Sequence, residues 1–192
     1  SNSLTTVTFL GTVHNFGTNT FDGISNDATA FYVTEPNNLT FTWWTNFTKR
    51  YTYKIESANT VSITKFEPNS YDKSVSVPDT VAGYPVTKID NVFSGCRQIT
   101  RIDFPAYVTS ITSDAFIDCN NLAYIGISPG NVKYSSDASG VLFNDDYTTL
   151  VQYPANNDIF EYTVPTSVTA IDGYAFQSCV ELKSILISEL VT

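Results

Sequence analysis

The sequence predicts a solenoid dominated by β-strands, in which short coils of chain stack on one another. The first observation is a series of eight apolar residues within 20 residues of chain. The series is Val108, Ile111, Ala115, Phe116, Cys119, Leu122, Ile125 and Ile127. The second observation is that the same series of apolar positions starts again at Val168 and at Val86. Three copies of one pattern make the repeat itself the fold.

The third observation is that each part of the repeat has a local preference. Leu122-x-x-Ile125-x-Ile127 predicts a strand with Ile125 and Ile127 on one face, two residues apart. The segment from Val108 to Ile111 predicts a second short extended piece on the opposite side. The spacing from Phe116 to Cys119 predicts a short helical turn. Stacked coils of this kind place like residues above one another in ladders.

The N-terminal part of the chain departs from the pattern. Residues 1–33 contain a partial, degraded repeat that starts in mid-pattern, so we expect the chain to be an excerpt with a further repeat upstream. Residues 34–50 form a non-repeat aromatic break, with Trp43 and Trp44 on opposite faces of an extended segment. These rings are either a platform for a sugar or a protein, or packing beneath the break.

The rest of the chain divides into a lead-in and an array. Residues 51–85 form a hairpin and lead-in unit, because two β-rich runs flank the polar turn at 57–59. Residues 86–192 form the repeat array, interrupted by an irregular unit at 128–158 that contains a second hairpin. We expect the last apolar rung, Leu182 to Ile187, to lack a cover and to favour weak end-to-end self-association.

The repeat resembles a known family. The segments FPAYVTSITSDAFIDCNNLAYIGI and VPTSVTAIDGYAFQSCVELKSILI are similar to the consensus of BspA-type leucine-rich repeats. The resemblance covers residues 51–192 well and 4–31 loosely, and leaves 34–50 outside. It implies a leucine-rich-repeat solenoid, a β-dominated α/β fold with parallel strands on one face, short helical turns and interrupting β-hairpin units. It also implies a surface or secreted protein of a bacterium or protozoan, with a role in adhesion.

Composition and motifs exclude several classes of function. A net charge of −9 argues against binding to nucleic acid or to anionic membranes, and no apolar run is long enough to span a bilayer. Cys96, Cys119 and Cys179 share one position of the repeat, so we expect buried free thiols rather than a disulfide or a zinc site. No catalytic motif and no cofactor motif is present, so we expect a protein that is not an enzyme and needs no cofactor.

The outward-facing strand residues are the best candidates for a binding surface. They are Thr6, Thr8, Ser76, Arg101, Asp103, Tyr124, Gly126, Gln152, Glu161, Thr163, Ser184 and Leu186. Most of them are small and polar, and Arg101 and Tyr124 are the residue types that dominate interface energies. The predicted partner site is therefore Arg101, Asp103 and Tyr124, with Trp43 and Trp44 as the competing site.

Two functions are compatible with this sequence. The chain is either a non-catalytic interaction module for an extracellular protein or glycan, or a rigid spacer that presents another domain and has no ligand. An interaction module needs exposed anchor residues on its strand face. A spacer needs only a uniformly polar face.

Overall fold

The computed structural model describes residues 6–8, 29–31, 51–56, 59–68, 70, 72–81 and 83–192 of the chain. The strands are β1 (Thr6–Thr8), β2 (Thr29–Phe31), β3 (Tyr51–Ile55), β4 (Val61–Phe66), β5 (Ser74–Ser76), β6 (Thr80–Val81), β7 (Tyr84–Ile89), β8 (Arg101–Phe104), β9 (Ser110–Ile111), β10 (Tyr124–Ile127), β11 (Tyr134–Ser136), β12 (Leu142–Asn144), β13 (Thr149–Gln152), β14 (Glu161–Thr163), β15 (Ala170–Ile171) and β16 (Ser184–Leu186). The described residues contain no α-helix. The architecture is a β-solenoid.

One stack of parallel strands carries the Ile-x-Ile part of the repeat. Strand β8 lies between β5 and β10, and the register places Val75, Ile102 and Ile125 side by side. These three side chains are almost completely buried. Further along the chain β14 and β16 pair in the same parallel sense. The predicted strand ladder is therefore present, and its alternate residues face outward.

A second stack of parallel strands carries the other part of the repeat. Strand β7 pairs in parallel with β4 and with β9, and β13 pairs in parallel with β15. The prediction of parallel strands on one face was therefore incomplete. The segment around Ile111 was expected to be extended, and its backbone N–H and C=O groups are paired by the neighbouring coils, as main-chain groups beside a core must be. The largest core cluster includes side chains from both stacks and lies between them.

The predicted short helical turn is wrong, because the segment 112–119 is a chain of separate turns. Ala115 N donates to Thr112 O at 3.0 Å, and Cys119 N donates to Phe116 O at 3.1 Å. Bonds of this span on successive residues would make a 3₁₀-helix. Here Asp118 adopts a left-handed φ of 59°, which interrupts the run and turns the chain toward the next strand.

The first of the three copies is shorter than the other two. The copy that starts at Val86 lacks one residue between Ile89 and Val92, so its spacings match the others only before and after that point. Asn91 fills the shortened bend with a left-handed φ of 50°. Its backbone N–H donates to the hydroxyl of Thr112 at 2.9 Å, which ties the bend to the next coil.

The hairpins expected from the sequence interrupt the stacks. Strands β3 and β4 are antiparallel, and Asn59 in the turn between them has a left-handed φ of 54°. Strands β12 and β13 are also antiparallel, and an additional strand that the pattern did not indicate, β11, pairs with β12. The irregular unit at 128–158 is therefore a three-stranded antiparallel segment inside a solenoid of parallel strands.

The hairpin of β12 and β13 lies between two hydrophobic cores and contributes side chains to both. Leu142 and Val151 belong to the larger core, which contains the coils before the irregular unit. Val141, Phe143 and Leu150 belong to the second core, which contains the coils after it. Because neighbouring side chains of a strand point to opposite faces, one hairpin serves both cores.

Two polar side chains join the irregular unit to the preceding coil. Buried Asn131 donates to Val108 O at 2.9 Å and to Pro105 O at 3.2 Å, and its amide oxygen accepts the backbone N–H groups of the two residues at 133 and 134. The Tyr134 hydroxyl accepts the N–H of Ile111 at 3.0 Å. The Asn131 amide and the Tyr134 hydroxyl therefore supply hydrogen bonds to main-chain atoms of the preceding coil.

The last coil is more open than the coils before it. Ile125 has no exposed surface, whereas Ile185 at the same position of the repeat is 37% exposed. Ile187, Leu186 and Leu190 are exposed as well. In the internal coils the position of Ile185 is occupied by Ile102 and Ile125, which are completely buried, so the packing of a rung depends on its neighbours.

Candidate functional site

The candidate site is the outward face of the sheet formed by β5, β8 and β10. The register of the three strands creates two rows of side chains across this face. The first row is Ser74, Arg101 and Tyr124, and the second row is Ser76, Asp103 and Gly126. Ser74, which the sequence pattern did not single out, and Ser76 are exposed and small. The larger side chains of the face therefore lie on β8 and β10, on the side away from β5.

Arg101 and Asp103 form a bidentate ion pair on this face. Arg101 Nε donates to Asp103 Oδ2 at 2.8 Å, and Nη2 donates to Oδ1 at 2.7 Å. The two side chains are 46% and 32% exposed, so the pair stands at the surface. The hydrogen bonds that the guanidinium donates to Asp103 stabilise its charged form and raise the pKa of Arg101.

Tyr124 completes the cluster from the next strand. The guanidinium carbon of Arg101 lies 4.2 Å from the centre of the Tyr124 ring, within the range of a cation–π contact. The ring is half-buried. The structure thus brings together the three residues that the sequence placed on adjacent rungs. We refer to Arg101, Asp103 and Tyr124 as the Arg101 cluster.

Two glycines make room for the Arg101 cluster. The sequence placed Gly126 on the outward row without assigning it a role, and it did not single out Gly140. A β-carbon on Gly126 would overlap the Asp103 carboxylate, and one on Gly140 would lie 2.5 Å from the Tyr124 ring. Gly140 also has a φ of 78°, and its carbonyl accepts the N–H of Ile125 on the side of β10 away from β8. A glycine within a strand commonly marks a close approach of another group, and Gly126 in β10 was the signal that could have revealed this.

Gln152 is a correction to the predicted outward row. Its side chain is buried, and Nε2 donates to Tyr153 O at 2.9 Å and to Ala175 O at 3.2 Å. The reason is that β13 pairs with β12 and β15 in a different sheet, so the alternation of the first stack does not extend to it.

The remaining residues of the row occupy two places. Glu161, Thr163, Ser184 and Leu186 are exposed on β14 and β16, as expected. Thr6 and Thr8 lie on β1, which pairs in parallel with β2, but their side chains are outside what the structure describes. The competing site at Trp43 and Trp44 also lies outside the described residues.

The cysteines occupy the same position in three coils and are not paired with one another. The Cys119 thiol donates to Phe93 O at 2.9 Å. Burial raises the pKa of Cys96 to about 11, of Cys119 to about 12 and of Cys179 to about 11. These values keep the thiols protonated at neutral pH, which is the state of a packing residue rather than of a nucleophile.

The acidic side chains of the irregular unit serve local turns. Asp137 Oδ1 accepts the backbone N–H groups of Ser139 and Val141, both at 2.9 Å. Asp146 accepts the Thr148 hydroxyl at 2.6 Å, and this bond lowers the pKa of Asp146. Among the described residues, no three acidic, histidine or cysteine side chains are grouped as a metal site would require. Within the same residues, no helix is long and apolar enough to cross a membrane.

The family model "BspA type Leucine rich repeat region" matches the chain in six copies. The matched ranges are 1–123, 64–149 and 141–192. The first range runs through residues 34–50, so the aromatic break, which the sequence resemblance left outside, falls inside the match. No curated protein is similar enough in sequence to match the chain.

Several solved structures have similar folds. A leucine-rich repeat protein from Eubacterium ventriosum matches with a TM-score of 0.50 and 19% identity, over 76% of this chain and 59% of its own. A leucine rich cell surface protein from Faecalibacterium prausnitzii has a TM-score of 0.48 and 23% identity, over 76% of this chain and 43% of its own. The leucine rich repeat protein of T. pallidum has a TM-score of 0.47 and 18% identity, over 71% and 78%. This chain therefore spans about half the length of the first two.

Proposed function

The chain belongs to the BspA-type leucine-rich repeat family, and on that basis we propose that it is a non-catalytic interaction module of a cell-surface or secreted protein. The partner is an extracellular protein or glycan, and the role is adhesion. The cell-surface or extracellular location follows from the kind of protein in which such repeats are mainly found. Extended strand faces of solenoids are commonly used for binding.

The observation that carries the proposal is the Arg101 cluster on the exposed sheet face. Arginine and tyrosine contribute to interfaces out of proportion to their number, most strongly when neighbouring residues allow close approach. Ser74 and Ser76 on β5 are small enough to allow that approach. The ion pair and the stacked ring also hold the guanidinium in place before any partner arrives. A preformed contact loses less conformational entropy on binding.

The proposal is tested by binding the chain to a panel of extracellular matrix proteins and to a glycan array. The double variant Arg101→Ala/Tyr124→Ala should weaken binding by at least about 1–2 kcal/mol. The matched control is Lys88→Ala/Asp90→Ala, which removes an exposed ion pair with a 3.4 Å separation outside the face. This control should leave binding unchanged.

Stability must be measured alongside binding. Because Tyr124 is half-buried against Gly140, the double variant should lose a small part of its thermal stability, and binding is compared well below the melting temperature. Binding that survives in the double variant contradicts the sheet face as the site. If Trp44→Ala then abolishes binding at unchanged stability, the site lies in residues 34–50.

The alternative is a rigid spacer that presents another domain. Small or polar side chains on the outward face, such as Ser74, Ser76, Thr163 and Ser184, favour this reading. A spacer should bind no matrix protein and no glycan in the same assays. Trp43 and Trp44 should then also be inaccessible to a water-soluble fluorescence quencher.

A further inference from the structure

The Arg101 guanidinium is a flat group with two faces, and the described residues contact only one of them. Tyr124 covers one face at 4.2 Å. On the other side, the residue in register with Arg101 is Ser74, which is small and exposed. Arg101 itself is 46% exposed. Within the part of the chain that the structure describes, the second face of the guanidinium is therefore uncovered and available to a partner.

The edge of the same group is already occupied, which fixes its orientation. Nε and Nη2 both donate to Asp103, so the plane cannot turn away from the sheet without breaking two hydrogen bonds. Gly126 leaves the space into which the Asp103 carboxylate settles. A glycine within a strand is less favourable than an alanine, because it loses more conformational freedom on folding. The chain therefore has a less favourable strand residue, Gly126, at the position that accommodates the Arg101–Asp103 ion pair.

The charge balance of the Arg101–Asp103 ion pair argues against an anionic partner. Asp103 neutralises Arg101, and the chain as a whole carries a net charge of −9. What the arginine still offers is its open face, and a guanidinium is weakly hydrated and stacks well on aromatic rings, unlike the ammonium of lysine. Each carboxylate oxygen of Asp103 has further lone pairs that can accept a hydrogen bond beside that face.

We propose that this face docks an aromatic side chain of a protein partner, so that Arg101 is held between Tyr124 and the incoming ring. The ring belongs to a tryptophan or a tyrosine, because an indole N–H or a phenol O–H can donate to Asp103 while the ring stacks. This inference rests on the proposed function and specifies the partner chemistry of the same site. It excludes a sugar as the group that occupies the open face.

The test uses nuclear magnetic resonance of the 192-residue chain, with small probes in place of the unidentified partner. The probes are N-acetyltryptophanamide, N-acetyltyrosinamide, N-acetylleucinamide and methyl glucoside. The Arg101 Nε–H is hydrogen-bonded, so its signal is a direct reporter. We expect a saturable upfield shift of this signal with the two aromatic probes, larger for tryptophan, and no shift with the leucine or glucose probe.

Two variants support the assignment. Arg101→Lys should weaken the response of the Tyr124 amide signal to the tryptophan probe by about fivefold or more, because lysine keeps the charge but loses the flat face. Lys88→Ala/Asp90→Ala should leave the response unchanged. The inference is overturned by a response to methyl glucoside alone, by no response to the aromatic probes, or by an undiminished response in Arg101→Lys.

The outcome separates this inference from the function on which it rests. If a matrix protein binds wild type and is lost in Arg101→Ala/Tyr124→Ala, while the aromatic probes give no shift, the face is an interaction site with another partner chemistry. If binding of the matrix protein ignores the double variant, the sheet face is not the adhesion site.

Discussion

Gly126 lies beneath the carboxylate of Asp103, because a β-carbon on residue 126 would overlap Oδ1 of that carboxylate. The two residues are partners in register on neighbouring parallel strands. The ion pair with Arg101 holds the carboxylate over the glycine. Gly126, which contributes no side chain to the sheet face, is therefore part of the candidate site.

Replacing Gly126 should disrupt the ion pair of Arg101 and Asp103 with little effect on the stability of the fold. In Gly126→Ala the new methyl group displaces the Asp103 carboxylate and breaks its two bonds to Arg101. The free energy of unfolding should change by less than about 1 kcal/mol, because an exposed ion pair stabilises little. The Arg101 Nε–H signal should move toward the position of a solvent-exposed arginine.

Gly173 is the matched control for that substitution. A β-carbon there meets no atom within 4 Å. Gly173→Ala should leave the Arg101 signal in place. An unchanged Arg101 signal in Gly126→Ala would mean that the carboxylate does not depend on the glycine.

Isoleucine at the same repeat position should contribute different amounts to the free energy of unfolding in two coils. Ile125 is fully buried, so Ile125→Ala should cost about 2–5 kcal/mol. Ile185 is 37% exposed, so Ile185→Ala should cost less than half as much. Urea unfolding at pH 7 measures both. Equal losses would show that the last coil is covered in solution by something other than this chain.

The amide of Asn131 should be worth more than an exposed amide in a similar turn. Asn131→Ala leaves four main-chain groups around a buried site without their partner, and we expect a loss of about 2–4 kcal/mol. Asn121 makes one exposed bond to Arg97 O at 2.6 Å. Asn121→Ala should cost about 1 kcal/mol or less in the same unfolding measurement, and a similar loss at both sites would contradict this account.

The three thiols should make the protein less stable in alkali, although only Cys96 and Cys119 are buried as predicted and Cys179 is half-buried. Their pKa is raised to about 11 for Cys96 and Cys179 and to about 12 for Cys119, against about 9 in the unfolded chain. Below pH 9 both states are protonated, and stability is unaffected. As the pH rises from 9 toward 11, only the unfolded chain loses these protons, so the free energy of unfolding falls by up to about 1.4 kcal/mol per pH unit for each thiol.

This fall should depend on the cysteines themselves. A variant with all three replaced by alanine should show a flatter dependence between pH 9 and 10, where the thiols of the unfolded chain lose most of their protons. The same slope in both proteins would assign the effect to other groups. Thiol titration with a chromogenic disulfide at pH 8 should find three reactive groups after unfolding without reductant, and a single reactive group would reveal a disulfide.

We propose that the open last rung supports weak self-association of the chain. Ile185, Leu186 and Ile187 are exposed beside an edge of β16 that pairs with no described strand, and an apolar strand edge is a template for pairing. Sedimentation velocity should show a dimer that grows with concentration, and Leu186→Lys should reduce it. Strictly monomeric behaviour of the wild type at high concentration would end the proposal.

Part of the candidate site was predictable from sequence and part was not. The repeat pattern identified Arg101, Asp103 and Tyr124 as outward residues on adjacent rungs, because strand alternation is local. It did not show that the three side chains contact one another, since rotamers depend on the neighbours available. It also failed at Gln152, where the chain had passed from one sheet into another and the alternation no longer referred to the same face.

The repeat pattern was sufficient to predict the solenoid and its strand ladder, and polar turns between β-rich runs predicted the hairpins, since all of these depend on local sequence. Tertiary structure decided what depends on contacts between coils. Neighbouring coils pair the segment around Ile111 as strand, and a left-handed Asp118 ends a turn that spacing predicted as helical. The Asp103 carboxylate occupies the space above Gly126 because Asp103 is in register with Gly126 on the previous coil.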